Sequence, residues 1–325
     1  MSELLKEARP QVVHITTPPQ SHFEIGTQCL LHGCHVYMEK PFALNTEEAA
    51  SLIGLAEQKG LKITAGHDDQ FRHCARRMRK LVHDGFLGGP PVHMEGYYGY
   101  ELGASGYAKA LLADKQHWVR RLPGGLLQNV ISHGIARFAE FFTDDPPQVV
   151  AHGFVSSRLL AMGESEIVDE LRVILYAQQM TGYFTFSSQM RPSLHQFRIY
   201  GPSNGLALDQ DQEVLIKLRG QRHKSYLEQF VSPMTVAGQY AGCSVANVKS
   251  FLANDFHPKS GMKYLMESFY QSIRQGGSPP IPYREILQTS RIMDEIFFQL
   301  RPKMHIPSTS PAAAAVIQKN QNCAA

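Results

Sequence analysis

The sequence predicts an α/β fold: a partial, doubly wound parallel (Rossmann-like) sheet, followed by an α+β domain with a large, mostly antiparallel sheet. Two observations predict it. Short apolar runs alternate with helical segments up to about residue 85, which is typical of a parallel sheet. From Pro90 onward, β-rich runs follow one another without regular helices between them. A chain of 325 residues with 43% hydrophobic content is long enough for two such cores.

The first half gives the clearest pattern. An apolar run from Gln11 ends at two prolines, as expected of a short strand followed by a rigid turn. Asn45 is a good helix N-cap, with Glu48 three residues later as in a capping box. Glycines stand where the helices should end. The expected elements are a helix over 2–8, a strand from Gln11, a helix over 22–32, a strand over 36–38, a helix from Asn45 to Gly60, a strand over 61–65 and a basic helix over 72–82.

In the second half, β-rich runs are bounded by Gly, Pro, Asn or Asp. The predicted strands are 92–100, 149–156, 171–189, 196–200 and 213–218, with a loop and helix region over 101–143 and helices over 260–275 and 283–300. The edge or open face of this sheet needs covering, so the sequence predicts a homo-oligomer formed through the β-sheet domain.

Four segments are therefore expected. They are a partial dinucleotide-binding domain (1–85), a substrate and oligomerisation domain (86–282), a C-terminal helix packing back on the first domain (283–300) and a disordered tail (301–325).

Composition narrows the class of protein. With 32 basic and 29 acidic residues, the net charge of +3 gives no case for nucleic-acid binding. The apolar runs are far shorter than the roughly 20 residues that span a bilayer, so no membrane partner is expected. The charged N-terminus lacks the apolar core of a signal peptide. Five cysteines in a long chain favour a reducing compartment, and the cytoplasm is the expected location.

The segment from His35 to Pro41 is the first candidate site. Its apolar part predicts a strand, and Glu39, Lys40 and Pro41 stand at the carboxyl end of that strand. Ligands bind at the carboxyl ends of strands in open parallel sheets. The sequence therefore predicts a chemical site around Lys40.

With these residues, the chain resembles the glucose-fructose oxidoreductase / inositol dehydrogenase family of nicotinamide-dependent sugar oxidoreductases. The matching pieces run in the family's order: Thr17-Pro18 with His22, Glu39-Lys40-Pro41, the Gly66-His67 turn, Gly124-Gly125 followed by Asn129-x-x-x-His133, and Pro280-Ile-Pro-Tyr283. Each piece alone is a weak signal, but five in sequence are a strong one.

The resemblance implies hydride transfer between a nicotinamide cofactor, NAD or NADP, and a hydroxyl or carbonyl carbon of a sugar or polyol. It implies that Lys40 lies beside the reacting hydroxyl and that His133 is the general acid/base. Histidine suits that role because its pKa is near neutrality. A nearby ammonium would stabilise the developing alkoxide. The residues implied to contact the cofactor are Thr17, Pro18, His22, Glu39, Lys40 and His67.

Asn129 departs from the family pattern, in which many members have aspartate four residues before the histidine. Asparagine can hold substrate or orient the imidazole, but it cannot accept a proton or raise the pKa of His133 by charge. We include Asn129 with the catalytic group. Trp118, Arg120 and Arg121 are expected in the substrate pocket, and the Tyr- and Gly-rich segment 97–107 is a further candidate.

A second departure concerns the cofactor. The family begins with a strand, a Gly-x-Gly-x-x-Gly turn and a helix that binds the pyrophosphate, and no such turn precedes Gln11. Either the chain is part of a longer protein, or it is a naturally shortened relative. In both cases we expect this polypeptide to bind NAD or NADP weakly or not at all.

Other interpretations stay open beside the enzyme. The chain could be a non-catalytic relative, an oligomer that binds a sugar-like ligand or regulates a partner. His22 either lines the cofactor crevice or only begins a helix, and Glu39 either orients Lys40 or touches the ligand. Cys29, His32, Cys34 and His35 have ligand types suited to zinc, but they straddle a helix end and a strand start, so no metal site is expected.

Overall fold

The computed structural model describes residues 2–102, 106–142, 146–220, 226–257 and 259–301. Its first layer is a three-stranded parallel sheet of β1 (Val12–Ile15), β2 (His35–Met38) and β3 (Ile63–Ala65) in that order. Val13 pairs with Val36, and Val36 pairs with Ile63, so the apolar centres of the strands lie side by side. The helices of this half are α1 (Ser2–Ala8), α2 (His22–Leu31), α3 (Thr46–Gln58) and α4 (His73–His83). The predicted partial parallel sheet is confirmed.

Asn45 begins α3 as predicted. Its side-chain oxygen accepts a hydrogen bond from the amide of Glu48 at 2.9 Å. The Glu48 carboxylate accepts from the amide of Leu44 at 3.0 Å, one residue before the position that a standard capping box uses. Both bonds satisfy amides that the start of a helix leaves without partners.

The second layer is a seven-stranded sheet in the order β10-β9-β8-β4-β7-β6-β5. All of its neighbouring pairs are antiparallel except β4 with β7, which confirms the predicted mostly antiparallel sheet. The predicted run 171–189 is in fact two strands, and the strand at 204–209 was not predicted. The strands are β4 (His93–Gly99), β5 (Gln148–Phe154), β6 (Glu170–Tyr176), β7 (Thr181–Ser187), β8 (His195–Tyr200), β9 (Asn204–Asp209) and β10 (Val214–Arg219).

Seven further helices follow α4 in the described residues: α5 (Gly106–Ala113), α6 (Gly125–Val130), α7 (Ser132–Ala139), α8 (Ser157–Ala161), α9 (Tyr226–Leu252), α10 (Ser260–Gln275) and α11 (Tyr283–Leu300). The sequence did not predict α9, which has Pro233 inside it. None of the described helices is long and apolar enough to cross a bilayer.

The last two helices do not follow the predicted segment boundaries. We assigned α10 to the second domain, but its Leu265 and Phe269 lie in the core of the first sheet. Helix α11 contributes Ile286 to that first core and Met293 and Phe297 to the core of the large sheet. It therefore packs against both halves, not only against the first. The predicted disordered tail, from 302 onward, lies outside the described residues.

Glutamine side chains cover both edges of the large sheet. On edge strand β10, Gln239 of α9 accepts from the amide of Lys217 at 2.8 Å and donates to its carbonyl at 3.2 Å. On edge strand β5, Gln299 of α11 accepts from the amide of Ala151 and donates to the carbonyl of Val149. These bonds satisfy edge groups that would otherwise be open to another strand.

The Gly124-Gly125 pair joins α11 to the helices of the candidate site. A Cβ atom at Gly124 would lie 2.4 Å from the ring of Phe297, far inside van der Waals contact. Gly125 has a φ of 53°, a left-handed conformation that glycine adopts most readily. The motif is thus explained by close packing at its first residue and by backbone conformation at its second.

We expect Gly124→Ala to destabilise the protein by about 1–3 kcal/mol, because the Phe297 ring must move out of a packed core. The matched control is Gly54→Ala in α3, where an added Cβ meets open space; it should stabilise by up to about 1 kcal/mol through helix propensity. Urea unfolding of both variants measures the difference. Equal stability of the two variants would contradict this account of the close contact.

Candidate active site

The candidate site lies where the three parallel strands end and meet α6 and α7. Lys40 follows β2, and its ammonium donates a hydrogen bond to the backbone carbonyl of Asn129 at 2.9 Å. Asn129 lies one helical turn before His133, and the rings of His67 and His133 meet edge to face with centroids 5.8 Å apart. The structure therefore brings Lys40, His67, Asn129 and His133 into one group, from both halves of the chain.

The imidazoles in this group are neutral near pH 7. Burial is the main cause that lowers the pKa of His67 to about 3, with a contribution from the nearby Lys40 ammonium. Burial also lowers the pKa of His133 to about 4; Asp69 opposes this effect, and Lys40 adds to it. A neutral His133 has a lone pair available to accept a proton. Its Nδ1 atom is buried and makes no hydrogen bond within the described residues.

Two carboxylates that the sequence analysis did not assign complete the group. Asp68 and Asp69 follow Gly66-His67 directly, and each places an oxygen 3.8 Å from Nδ1 of His133. Burial and the neighbouring Asp69 and Glu39 raise the pKa of Asp68 to about 7. The signal in the sequence was an acidic pair just after a buried parallel strand, at the end where ligands bind.

Asp69 is held in its ionised form. Burial alone would raise its pKa, but His133, a hydrogen bond from Gln210 and the charge of Arg137 outweigh burial, and the pKa is lowered. Arg137 also donates to the backbone carbonyl of Asp69 at 2.7 Å. A fixed negative charge thus faces His133, although Asn129 offers none.

Lys40 keeps favourable partners despite being largely enclosed. Burial lowers the pKa of its ammonium, while the negative charges of Glu39, Asp69 and Asp68 act in the opposite direction. These acidic groups offset part of the cost of enclosing the ammonium. The structure places Lys40 in the same group of residues as His133.

A pocket with both polar and apolar lining opens beside His133 on the large sheet. Six of the polar residues that line it are Tyr97, Tyr98, His133, His195, Gln196 and Gln210. The ring of Tyr98 lies edge-on to that of His195, with centroids 4.4 Å apart, and His195 bonds to Asp211 at 2.8 Å. Tyr97 and Tyr98 belong to the predicted Tyr- and Gly-rich segment, of which 103–105 lie outside the described residues.

His22 does not present its ring to the crevice as a cofactor contact would require. The ring is fully buried, with Nε2 2.8 Å from the carbonyl oxygen of Thr17 and Nδ1 3.0 Å from that of Pro41. A neutral imidazole has one N–H, so it donates to one of these carbonyls at a time. His22 therefore links the turn after β1 to the turn that holds Lys40, and its effect on a ligand would be indirect.

The other residues expected at the cofactor are at the strand ends. Thr17 and Pro18 are exposed after β1, where the Thr17 hydroxyl accepts from Ser21 at 2.8 Å. The Glu39 carboxylate accepts from the backbone amide of Lys40, so it orients this turn. Gly66 packs against Glu39 so closely that a Cβ there would lie 3.1 Å from the carboxylate.

Arg120 is not available to bind substrate, because its guanidinium is already paired within the fold. Its guanidinium pairs with Glu164 at 2.7 Å and donates to the carbonyl of Leu111, and its side chain is 9% exposed. Trp118 stacks on His117, and its carbonyl accepts from Gln20. Arg121 is exposed. None of Trp118, Arg120 and Arg121 lines the pocket beside His133, because tertiary partners that the sequence pattern does not reveal hold this segment elsewhere.

The cysteine and histidine cluster near β2 does not form a ligand set. Cys29 and Cys34 are buried, whereas His32 is exposed and His35 accepts from the amide of Lys62. Among the described residues, one group has metal-ligand spacing: Asp68, Asp69 and His133, with ligand atoms within 4.8 Å of one another. Because Lys40 and Arg137 already provide positive charge beside these carboxylates, we keep the expectation of no metal here.

Comparison with known proteins relates the first part of the chain to one family. Residues 1–67 match the model of an oxidoreductase family with an NAD-binding Rossmann fold. This match covers 67 of the 325 residues. The resemblance to glucose-fructose oxidoreductase and inositol dehydrogenase read from the motifs is thus confirmed.

Two relatives of this oxidoreductase family match the first part of the chain. UDP-N-acetylglucosamine 3-dehydrogenase of Acidithiobacillus ferrooxidans is 35% identical over 88 residues, which are 27% of this chain and 26% of the relative. The NADP-dependent scyllo-inositol 2-dehydrogenase of Bacillus subtilis is 30% identical over 87 residues, 27% of this chain and 24% of the relative. The matched region thus spans about a quarter of the length of these relatives.

Solved structures show that the likeness of fold extends beyond that region. The WlbA dehydrogenase of Bordetella pertussis, solved with NADH and UDP-GlcNAcA, matches with a TM-score of 0.71 at 14% identity, over 95% of this chain and 83% of its own. An NAD-binding oxidoreductase of Klebsiella pneumoniae matches with a TM-score of 0.71 at 18% identity, over 93% and 81% of the two chains. Both layers of the fold are therefore shared with oxidoreductases.

We expect Asp68→Asn to raise the free energy of unfolding at pH 8 by about 1–3 kcal/mol. The folded-state pKa of Asp68, about 7, lies above the ordinary aspartate value of 3.8, so the folded protein loses stability as the pH rises through this interval. Near pH 3 the carboxyl is protonated in both states, and the gain should vanish. Thermal unfolding across pH 3–8 measures it. The exposed Asp84, paired with Lys80, is the control: Asp84→Asn should not stabilise at pH 8.

Proposed function

We propose that this protein is an NAD- or NADP-dependent oxidoreductase that transfers a hydride between the cofactor and a hydroxyl or carbonyl carbon of a sugar or polyol. The observation that supports it is the convergence of the Lys40 ammonium and the neutral His133 imidazole beside this pocket, at the carboxyl ends of parallel strands. An alcohol oxidation needs a base for the hydroxyl proton and a positive charge for the alkoxide, and this arrangement supplies both.

Each residue has a defined task in that reaction. In the oxidative direction, His133 accepts the proton of the substrate hydroxyl, and Lys40 stabilises the negative charge that develops on the same oxygen. Asp69, 3.8 Å from Nδ1 of His133, stabilises the imidazolium after proton transfer. A bound nicotinamide cofactor would supply the acceptor for the hydride that leaves the substrate carbon. In the reductive direction, the imidazolium returns the proton to oxygen.

The described residues fit one end of a dinucleotide. The ends of β1, β2 and β3 converge on Lys40, as expected for the nicotinamide half of such a site. No Gly-x-Gly-x-x-Gly turn precedes a helix within the residues that the structure describes, so no pyrophosphate site of that kind accompanies these strands. We keep the expectation that this polypeptide binds NAD or NADP weakly or not at all.

The pocket lining favours a hydroxyl-rich substrate. Tyr98, His195, Gln196 and Gln210 offer donors and acceptors, which suit a ligand with several hydroxyl groups. Relatives in the comparisons are named as dehydrogenases of a sugar nucleotide and of an inositol. Self-association through the open face of the large sheet, where Ile174 and Tyr183 are exposed, remains part of the proposal.

Removing either reacting group should abolish turnover. At millimolar cofactor and over a panel of polyols and sugar nucleotides, we expect Lys40→Met and His133→Asn each to lower kcat/KM by roughly a hundredfold or more, because each removes a transition-state interaction. The matched control is Lys59→Met, an exposed lysine at the end of α3, which should keep the parental rate. The readout is absorbance of the reduced nicotinamide.

The result also separates the two candidate functions. Full activity of Lys40→Met would overturn the assignment of this residue. An inactive parent that still binds a sugar or polyol at the pocket would favour the non-catalytic relative, a sugar-binding or regulatory oligomer.

Titration of the polypeptide with NADH and NADPH should give a dissociation constant above roughly 100 μM for both, because the described sheet lacks a helix N-terminus for the pyrophosphate. Fluorescence of the reduced nicotinamide and calorimetry measure this. A dissociation constant in the low micromolar range would show that other parts of the chain hold the cofactor and would contradict the expectation.

A further inference from the structure

Helix α9 has apolar residues on two faces, and only one face is packed. Its inner face covers β10: Val236 and Cys243 join a small core with Val214 and Ile216, and Gln239 bonds the strand backbone. On its outer face, large apolar residues of the helix are exposed in the described chain, among them Leu227, Met234 and Leu252. The helix is 27 residues long, or roughly 40 Å at 1.5 Å per residue.

The outer face has a regular repeat. Eight exposed positions alternate in steps of four and three residues, which is the spacing of the a and d positions of a coiled coil. We call them the outer stripe: Leu227, Val231, Met234, Gly238, Ala241, Val245, Val248 and Leu252. None is charged or polar. Met234 is 73% exposed and Leu252 is 75% exposed, whereas Val231 is the least exposed of the large residues at 38%. An uninterrupted repeat of this kind on solvent is the pattern of a helix that packs on another helix.

The outer stripe is symmetric about its own centre. Counted inward from both ends, the pairs are Leu227 with Leu252, Val231 with Val248, Met234 with Val245, and Gly238 with Ala241. In each pair, one member is an a position and the other a d position, as in the layers of an antiparallel coiled coil. Large residues would meet at the ends, and the small residues at the centre would let the two helices approach closely. A surface that is complementary to itself under a two-fold rotation is what an isologous dimer requires.

The charges of α9 fit the same arrangement. The helix has two charged residues, Glu228 near its start and Lys249 near its end. Each directly follows a stripe residue, so both occupy the flanking position of the repeat. In the antiparallel register, Glu228 of one helix lies beside the partner's Lys249, and the pairing occurs twice per dimer. In a parallel pair, Glu228 and the partner's Lys249 would lie at opposite ends of the dimer, so this charge pair could not form.

We propose that α9 pairs with α9 of a second copy of this chain as an antiparallel coiled coil through the outer stripe. This interface is separate from the candidate active site and from the open face of the large sheet. Its formation does not depend on the proposed function.

Cross-linking in trans tests both the contact and its direction. Cys323, the cysteine outside the described residues, is first replaced by serine; the other four are buried. Two full-length variants are then prepared, each with one new cysteine: Met234→Cys in the first and Val245→Cys in the second. A short bismaleimide should link the two chains in a mixture, and neither chain alone should link to itself. In the antiparallel pair, the two copies of position 234 lie roughly 17 Å apart along the axis, from eleven residues at 1.5 Å each.

A matched pair of glycine substitutions measures the strength of the contact. Gly238→Glu puts a carboxylate at the centre of the outer stripe, whereas Gly242→Glu puts it at the side of the same helix. An added Cβ meets open space at both positions within one chain. Gly238→Glu should halve the sedimenting mass and raise the dissociation constant of the pair by roughly tenfold or more, because two charges are buried at the crossing. Gly242→Glu should keep the parental mass.

Several outcomes would overturn the proposal. Self-linking of each single-cysteine chain would indicate a parallel pair, and absence of linking in the mixture would exclude the contact. The sheet alone would form the oligomer if Gly238→Glu kept the parental sedimenting mass while Ile174→Lys, on the open sheet face, lowered it. The new thiol of Met234→Cys is also tested with maleimide. If phosphatidylcholine vesicles protect it from reaction and a second copy of the chain does not, the outer stripe binds a lipid surface and not another α9.

Discussion

The hydrogen bond from the Lys40 ammonium to the Asn129 carbonyl is the interaction on which the candidate site depends. It joins the end of β2 to α6, and so connects the small parallel sheet to the helices that pack on the large one. An enclosed ammonium needs such a partner, because an unpaired buried charge costs several kcal/mol. The carboxylates of Glu39, Asp68 and Asp69 complete its surroundings. The geometry of the site is thus tied to how the two halves of the chain pack.

The same enclosure provides the candidate site with a negative charge although position 129 is an asparagine. A negative charge near the imidazole is needed to stabilise its protonated form, and nothing requires that charge to come from the same helix. Asp69 supplies it from the turn after β3, and Arg137 and Gln210 keep it ionised. The neighbouring Asp68 then faces a charge of its own sign, which contributes to its raised pKa. Asp69 is thus the more acidic of the two groups, whereas Asp68 takes up its proton near neutral pH, as expected for a carboxyl pair in a shared enclosed space.

Local patterns predicted most of the first layer and part of the site. Apolar runs, Asn45 and the glycines after helices marked the elements, and Lys40 and His133 were found from short motifs. Arg120 was misplaced because its partner, Glu164, is distant in sequence. Asp69 was missed because its role depends on where α7 packs. The failure over α9 has a local cause: Pro233, Gly238 and Gly242 indicate a loop, whereas tertiary contacts with β10 stabilise a helix there.

The bonds at the sheet edges restrict how this protein can assemble. Because Gln239 and Gln299 occupy backbone groups of β10 and β5, an added strand at either edge would first have to displace a glutamine. Apolar surface is left on the open face of the sheet and on the outer stripe of α9. Helix α9 therefore does two things with its two faces: the inner one closes an edge that would favour uncontrolled strand pairing, and the outer one offers a surface with a defined repeat. A heptad surface specifies register and direction, which an open strand edge does not.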